Sequence, residues 1–239
     1  MFHRVQTNLP THTLNVTYYN GQRYYQSPKT LQWYPSVTTV VGFSKQSFFT
    51  EWRKDPANEL NLKNAQERGE SFHTTIEKYL QNDPNFLEGQ NNNIKTLFRQ
   101  LEPKLKNINN MVAQESPLFS DTLRLAGRFD CIAEYDKELS IIDFKGSNKS
   151  KRKDWIQNYF EQCACYSIMF QELYGIKISN IVVLVSSDDG TTQVFKEKVK
   201  NHIVPLGKTI KSFWKQHHFN TLQESINKGM NNVNHGNPT

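Results

Sequence analysis

Residues 125–145 read Leu-Ala-Gly-Arg-Phe-Asp-Cys-Ile-Ala-Glu-Tyr-Asp-Lys-Glu-Leu-Ser-Ile-Ile-Asp-Phe-Lys. Two runs rich in β-branched and aromatic residues, 129–135 and 139–144, flank Asp136-Lys137-Glu138, a spacer of hairpin length. An antiparallel pair with a short turn sets the start of its first strand beside the end of its second. Asp130 and Asp143 hold those two places, so the hairpin brings two carboxylates together. Side chains alternate along a strand, which puts Asp143 and Lys145 on one face. The apolar Ile141-Ile142 lead-in suits a buried strand.

Two carboxylates and a lysine on a buried sheet are costly unless the acids are neutralised. A hard divalent cation is the natural counter-charge. Mg²⁺ takes a few carboxylate oxygens together with substrate phosphate oxygens. An ion so placed polarises a phosphodiester and lowers the pKa of a bound water. Lys145 would then orient or deprotonate that water, or stabilise charge on the phosphate. The blander alternative is a salt-bridged structural hairpin, because short acid-x-lysine matches recur by chance.

The order Gly127-Arg128-Phe129-Asp130, hairpin, Ile142-Asp143-Phe144-Lys145 resembles the G-x-x-D and D-x-K motifs of the PD-(D/E)XK nucleases. Within them it is most similar to the RecB-type exonucleases, among these the mitochondrial genome maintenance exonucleases and their phage relatives. Upstream, Arg68-Gly69, His73, Glu77 and Tyr79-Leu80 resemble that family's first motif, in which a histidine reaches the metal from a helix. The resemblance implies that His73 joins Asp130, Asp143 and the Phe144 carbonyl as metal ligands. Glu77 would hold His73 or bind a second ion. Spacing alone says less. His73 and Glu77 sit four apart on a helix striped by Phe72, Ile76, Tyr79 and Leu80. A lone histidine there is usually a surface or satisfied core group. The family commonly has Thr after the glycine and an aliphatic residue before the histidine; Glu70 and Phe72 stand there instead.

Gln162 and Tyr166 resemble the Gln-x-x-x-Tyr motif that follows the Asp-x-Lys strand in these enzymes. The resemblance gives Gln162 the positioning of phosphate or lysine and Tyr166 the wall of the site. Otherwise they are an ordinary pair one helical turn apart. Relatives usually carry Thr-Ser after the lysine, and here Gly146 removes one hydroxyl. Glu115 stands where relatives often place an acid. It is either an outer metal ligand or an ion-pair partner of Arg124 or Arg128.

Lys149, Lys151, Arg152 and Lys153 follow the lysine motif directly. That position favours a phosphate-contact loop over a merely solvated charge run. A net charge of +6 suits a polyanionic partner. Tyr34-Pro35-Ser36-Val37-Thr38 resembles a Pro-Ser-Val-Thr segment of phage-type members. Pro35 disfavours helix at Tyr34, and Ser36 is an N-cap candidate. The helix start would lie along the DNA path, with Ser36 near a phosphate, or be no more than a capped helix. Asn20-Gly21 marks a hairpin between 14–19 and 23–25. Its tyrosines 18, 19, 24 and 25 are read as ordinary strand residues before base-stacking ones.

Elsewhere the sequence predicts a helix over 47–54, a loop at 91–93, and helical spacing over 94–108 kinked or broken at Pro103. A strand follows at 111–115. A helix at 154–174 is capped by Asp154, carries Trp155, Tyr159, Phe160, Cys163 and Ile168 on its apolar face, and ends at Gly175. Strands at 178–185 and 191–195 precede helical sequence over 196–228. The expected fold class is α/β, a restriction-endonuclease-like core with a mixed central β-sheet flanked by helices. The expected units are an N-terminal extension with a β-hairpin (1–33), a nuclease domain (34–228) and a disordered tail (229–239). Cys131, Cys163 and Cys165 make neither an even disulfide framework nor a four-cysteine iron–sulfur site, which fits a reducing cytoplasm. No apolar run is long enough for a membrane, and no targeting signal is evident.

The expected function is therefore a Mg²⁺-dependent DNA exonuclease, with Mn²⁺ substituting. It would act on single strands or free ends in replication, repair or recombination. The alternatives are a non-catalytic DNA-binding protein with a relict site and a structure-specific endonuclease.

Overall fold

In the computed structural model, which describes residues 1–7, 9–43 and 56–234, five strands form the central sheet in the order β10-β9-β8-β7-β4. They are β4 (Ile108–Gln114), β7 (Cys131–Tyr135), β8 (Glu138–Ser147), β9 (Asn180–Ser187) and β10 (Thr192–Lys198). The pair β8–β9 is parallel and the other neighbours are antiparallel. The crossover between β8 and β9 carries α4 (Gln157–Tyr174).

Both faces of this sheet are covered, which is why 181–185 of β9 reads as a continuous apolar run rather than an alternating one. Ile132, Ile141, Ile181, Val183 and Val185 pack with Phe160, Ala164 and Met169 of α4. Cys131, Ala133, Ile142, Phe144, Val182 and Leu184 pack with Phe72, Ile76 and Leu80 of α2 (Pro56–Leu80) and with Leu97 and Leu101 of α3 (Asn92–Leu105). Each Val, Leu, Ile, Phe or Met side chain among them contributes about 1.5–3 kcal/mol by leaving water. The chain is thus α/β, a mixed sheet flanked by helices, as its pattern predicts.

The turn between β7 and β8 is shorter than expected. Glu138 pairs with Tyr135, leaving Asp136 and Lys137 as a two-residue turn with φ of 50° and 70°. Two positive φ values mark the turn whose twist suits a hairpin. The strand expected from 129 is also broken. A separate ribbon, β5 (Pro117–Ser120) and β6 (Leu125–Arg128), precedes it, and Phe129-Asp130 lie between β6 and β7.

Other elements depart from the pattern for local reasons. Asn91 is an N-cap, its side-chain oxygen accepting from the Ile94 N–H at 3.0 Å, so Asn92 and Asn93 are helical. Pro103 does not break α3. It sits near the C-terminal end, and buried Leu101 and Leu105 on either side hold the last turn on the sheet. Ile108 opens β4 instead of extending that helix. Asp154 does not cap α4. It lies inside a 3₁₀ turn, Lys153–Ile156, and its carboxylate pairs with Arg152. Trp155, expected on the apolar face, is 58% exposed. Gly175 does end α4, at φ 72°.

The hairpin β1 (Val16–Tyr19) and β2 (Gln22–Gln26) forms about Asn20-Gly21 and adds β3 (Trp33–Pro35). Tyr24 and Tyr25 are buried in it, and Tyr18 is exposed. Residues 3–5 are tied to the β4 edge through backbone bonds between His3, Val5 and Met111. After α1 (Val37–Val41), the helix expected over 47–54 lies outside the described residues. The predicted helical stretch 196–228 starts only at 203, because β10 runs to Lys198. It divides into α5 (Ile203–Gln216) and α6 (Phe219–Asn234), so helix continues beyond 228. Among the described residues no helix is long and apolar enough to cross a membrane.

Candidate active site

The sheet brings its charges together where β7 begins and β8 ends. Asp130, just ahead of β7, is pinned from both sides. Its Oδ2 accepts the Phe144 N–H at 2.9 Å and lies 3.3 Å from Nδ1 of His73 on α2. Its carbonyl accepts the Glu115 N–H at 3.0 Å. Glu115, in the corner between β4 and β5, has φ of 47°. Its Oε2 lies 2.9 Å from Nε of Arg128. One ligand atom each from His73, Glu115 and Asp130 fall within 4.8 Å of one another, a group that could hold a metal ion.

Asp143 lies beside this trio and is committed on one oxygen only. Its Oδ1 accepts from Lys145 Nζ at 2.6 Å and from Gln162 Nε2 at 2.9 Å. Its Oδ2 is buried with no hydrogen-bond partner. A bare buried carboxylate oxygen is costly without a donor or cation. Lys145 also lies with its ammonium 5.1 Å from the centre of the Tyr159 ring.

The electrostatics follow from crowding acids in a dry corner. Burial, with the Asp130 charge adding to it, lifts Asp143 to about 6 against the pull of Lys145. Burial and the Asp130 charge lift Glu115 to about 7 despite Arg128. Asp130 resists its own burial: His73, Lys145 and the Phe144 N–H hold it below the ordinary carboxylate value. Burial disfavours charge on His73 and Lys145 as well, yet the neighbouring aspartates win and raise both. Surplus acid in a water-poor corner is the condition under which a divalent cation binds. One imidazole with carboxylate oxygens is a donor set that suits one.

The structure thus gathers His73, Asp130, Asp143, Lys145 and Gln162, and it moves Glu115 into the group around His73. Phe144 enters through its N–H. Glu77 Oε1 accepts from Gln81 Nε2 at 3.0 Å, and its charge adds to the upward push on Glu115. Tyr166 is buried, and a Cβ on Gly127 would stand 2.7 Å from its hydroxyl oxygen. That close approach is why the G-x-x-D segment needs its glycine. The hydroxyl of Ser36 is used up in capping α1: it accepts from the Thr39 N–H at 3.0 Å and bonds the hydroxyls of Thr38 and Thr39. Lys149 and Arg152 are exposed on the loop after β8, with Lys151 half-buried between them.

The roles of two residues escape a reading of the sequence. Tyr159 passes there for core, although it stands three residues before Gln162 and seven before Tyr166, the spacing of one helical face. Arg68 stands there only as a match to the first motif, with no sign of what it holds. It donates to Asn148 Oδ1 at 2.7 Å, to the Ser147 carbonyl at 3.1 Å and to Asp188 Oδ1 at 2.7 Å. Those partners lie 79 to 120 positions away, beyond any local pattern.

A family model described as the PD-(D/E)XK nuclease superfamily matches residues 86–237. The chain belongs to that superfamily. The superfamily match includes Glu115, Asp130, Asp143, Lys145 and Gln162, and His73 precedes it. Among curated proteins, mouse mitochondrial genome maintenance exonuclease 1 is 27% identical over 173 residues, covering 66% of this chain and 51% of the relative. The human protein of that name is 28% identical over 174 residues, covering 66% and 50%. The chain spans about half the length of the curated relatives it matches. A crystal structure from Eubacterium rectale superposes with a TM-score of 0.45 at 11% identity, covering 62% of this chain and 65% of that one, a likeness too loose to bear on function. The acids and lysine that carry the PD-(D/E)XK resemblance are the residues that share hydrogen bonds and charge in this corner.

Proposed function

We propose that this chain is a divalent-metal-dependent deoxyribonuclease of exonuclease type, hydrolysing phosphodiester bonds in single-stranded DNA or from free DNA ends. The observation that carries the reading is the divided state of Asp143. One oxygen is locked by Lys145 and Gln162, and the other is buried and bare in a corner where the charges of Asp130 and His73 are felt. A purely structural ion pair has no need of such an oxygen.

In this reading His73, Glu115, Asp130 and Asp143 Oδ2 hold the ion, with the Phe144 carbonyl as the further ligand that the resemblance assigns. When bound, Mg²⁺, or Mn²⁺ in its place, supplies positive charge to the phosphate and acidifies water. The chain's own groups do the rest. Lys145, raised above its ordinary value by Asp143 and Asp130, brings a cation to the phosphate and a donor that orients the attacking water. Gln162 fixes the Asp143 carboxylate in one orientation, so that the bare oxygen stays aimed away from Lys145. Arg68 ties the segment after β8 to α2 and so sets where Lys149 and Lys151 can meet the phosphate backbone. The names of the curated relatives support the exonuclease assignment and a role in DNA maintenance.

The test uses single-stranded DNA labelled at its 5′ or 3′ end, with Mg²⁺, Mn²⁺ or EDTA. Wild type should degrade it only with metal, and Lys145→Ala and Asp143→Asn should not. Label order gives polarity. Cutting of circular single strands would replace the exonuclease reading with an endonuclease one. Binding without cleavage under every metal would leave a non-catalytic DNA-binding protein.

A further inference from the structure

Trp155 has no role inside the fold. It keeps 58% of its surface in solvent on the 3₁₀ turn between the basic loop and α4. A single exposed aromatic is ordinary, but three features set this one apart.

The first is its place. Trp155 stands on the 3₁₀ turn that runs straight into α4, whose Tyr159, Gln162 and Tyr166 share one helical face. On that face half-buried Tyr159 sits beside the Lys145 ammonium, and Gln162 donates to Asp143. Trp155 thus stands where the chain passes from solvent into the element that lines the candidate site. The second is charge. Lys149, Lys151, Arg152 and Lys153 lie two to six residues before it, and the Arg152 guanidinium, which also pairs with the intervening Asp154, lies 5.4 Å from the centre of the indole. The third is rigidity. Gln193 grips Lys151 through both backbone groups, at 2.7 and 2.8 Å, and the Ser150 N–H donates to Asp189 at 2.8 Å. Lys153 pairs with Glu197 on β10. The indole and its cations are therefore displayed from a fixed backbone.

We propose that Trp155 is a stacking platform for a nucleobase of single-stranded DNA as the strand approaches the candidate site, with Lys149 and Lys151 on the adjoining phosphates. The ligand's identity rests on the nuclease reading above. A flat aromatic beside cations takes any base, because every base has a π-face, and the cations take the backbone between bases. The platform thus holds strands without reading their sequence.

The experiment measures binding of the full chain in EDTA, where no turnover competes, to an oligothymidylate and to an abasic oligomer of equal length and charge. Tryptophan emission of wild type should be quenched by the oligothymidylate, and Trp155→Phe should lose that quench. Trp155→Ala should bind the oligothymidylate roughly tenfold more weakly, with Trp155→Phe in between, the scale expected of one stacked base. The abasic oligomer should bind all three proteins equally. Quenching that persists in Trp155→Phe would overturn the proposal. So would an alanine variant that binds both oligomers like wild type, or one that weakens both alike. Cleavage by wild type with Mg²⁺ is followed on the same preparation. Its absence would count against the nuclease reading while the stacking comparison remained readable.

Discussion

Gln162 and Lys145 donate to the same oxygen of Asp143, at 2.9 and 2.6 Å, and leave the other oxygen bare. Hydrogen bonds to a charged group contribute about 1.5–3 kcal/mol each. Gln162→Leu should therefore free the carboxylate to rotate. The expected result is a higher Mg²⁺ requirement, with cleavage at saturating metal reduced much less than in Lys145→Ala. A Mg²⁺ titration of both variants on labelled DNA checks this. Equal metal requirements in wild type and Gln162→Leu would show that Gln162 does not orient Asp143.

The crowding of Asp130, Asp143 and Glu115 also predicts an effect on stability. Asp143→Asn removes one charge from a corner where burial and Asp130 already push Asp143 up to about 6. That relief is outweighed by leaving the largely buried Lys145 ammonium without its carboxylate, so in EDTA the variant should be less stable than wild type by about 3 kcal/mol. Mg²⁺ should raise the melting temperature of wild type, by about 2.7 kcal/mol of stability at a hundredfold excess over Kd, and should barely move the variant. Thermal melts with and without metal decide it. An equal metal shift in both would place the ion elsewhere.

Gly127→Ala would drive a methyl to 2.7 Å from the Tyr166 hydroxyl oxygen and 3.0 Å from its Cε1. Overpacking of this kind costs about 1–3 kcal/mol. Adding Tyr166→Phe removes the nearest obstacle and should recover part of the loss. Urea midpoints of the single and double variants test this. No recovery would mean that the backbone, not the hydroxyl, sets the requirement for glycine.

At the far end of the sheet the sign of a pH effect can be worked out. Burial would raise Glu197, but the ion pair with Lys153 and the bond from Asn201 outweigh it and hold the carboxyl at about 2. A depressed folded-state value stabilises the fold above the unfolded value. That contribution is lost as pH falls from about 4.5 toward 2. Lys153 is largely exposed, so screening trims the gain to about 1–2 kcal/mol. Wild type should exceed Glu197→Gln by that amount at pH 6, and the gap should shrink at pH 3. A gap that stays constant would rule out the ion pair as its source.

The catalytic-type motifs were legible because each is local. Asp130, Asp143 and Lys145 lie on one hairpin, and Gln162 and Tyr166 on one helix, so periodicity puts each set together, while the family resemblance alone singles out Gln162 and Tyr166. Burial on both sheet faces was legible in the unbroken apolar run of β9. What escaped was set by partners distant in the chain. Glu115 reaches the ligand group only because a backbone bond fastens it to Asp130. Arg68 acts only where α2, the loop after β8 and Asp188 converge. Trp155 looked like core because helical spacing fits it, but its turn is 3₁₀ and faces water. Pro103 promised a break that packing by Leu101 and Leu105 prevents.

The hairpin closed by the two-residue turn at Asp136-Lys137 has a consequence for how such a chain can evolve. Most of its surface tolerates substitution, since surface changes away from such features usually shift stability by no more than about 0.5 kcal/mol. Length within this hairpin is another matter. A longer turn would be absorbed as a larger loop. One residue inserted within β8 between the turn and Asp143, with the pairing kept, would carry Asp143 and Lys145 to the face now held by Ile142 and Phe144, and would offer α4 two apolar side chains instead. Drift in residue identity can be gradual along this hairpin. A change in the length of β8 ahead of Asp143 is all or nothing, so a lineage that keeps the chemistry must keep that count.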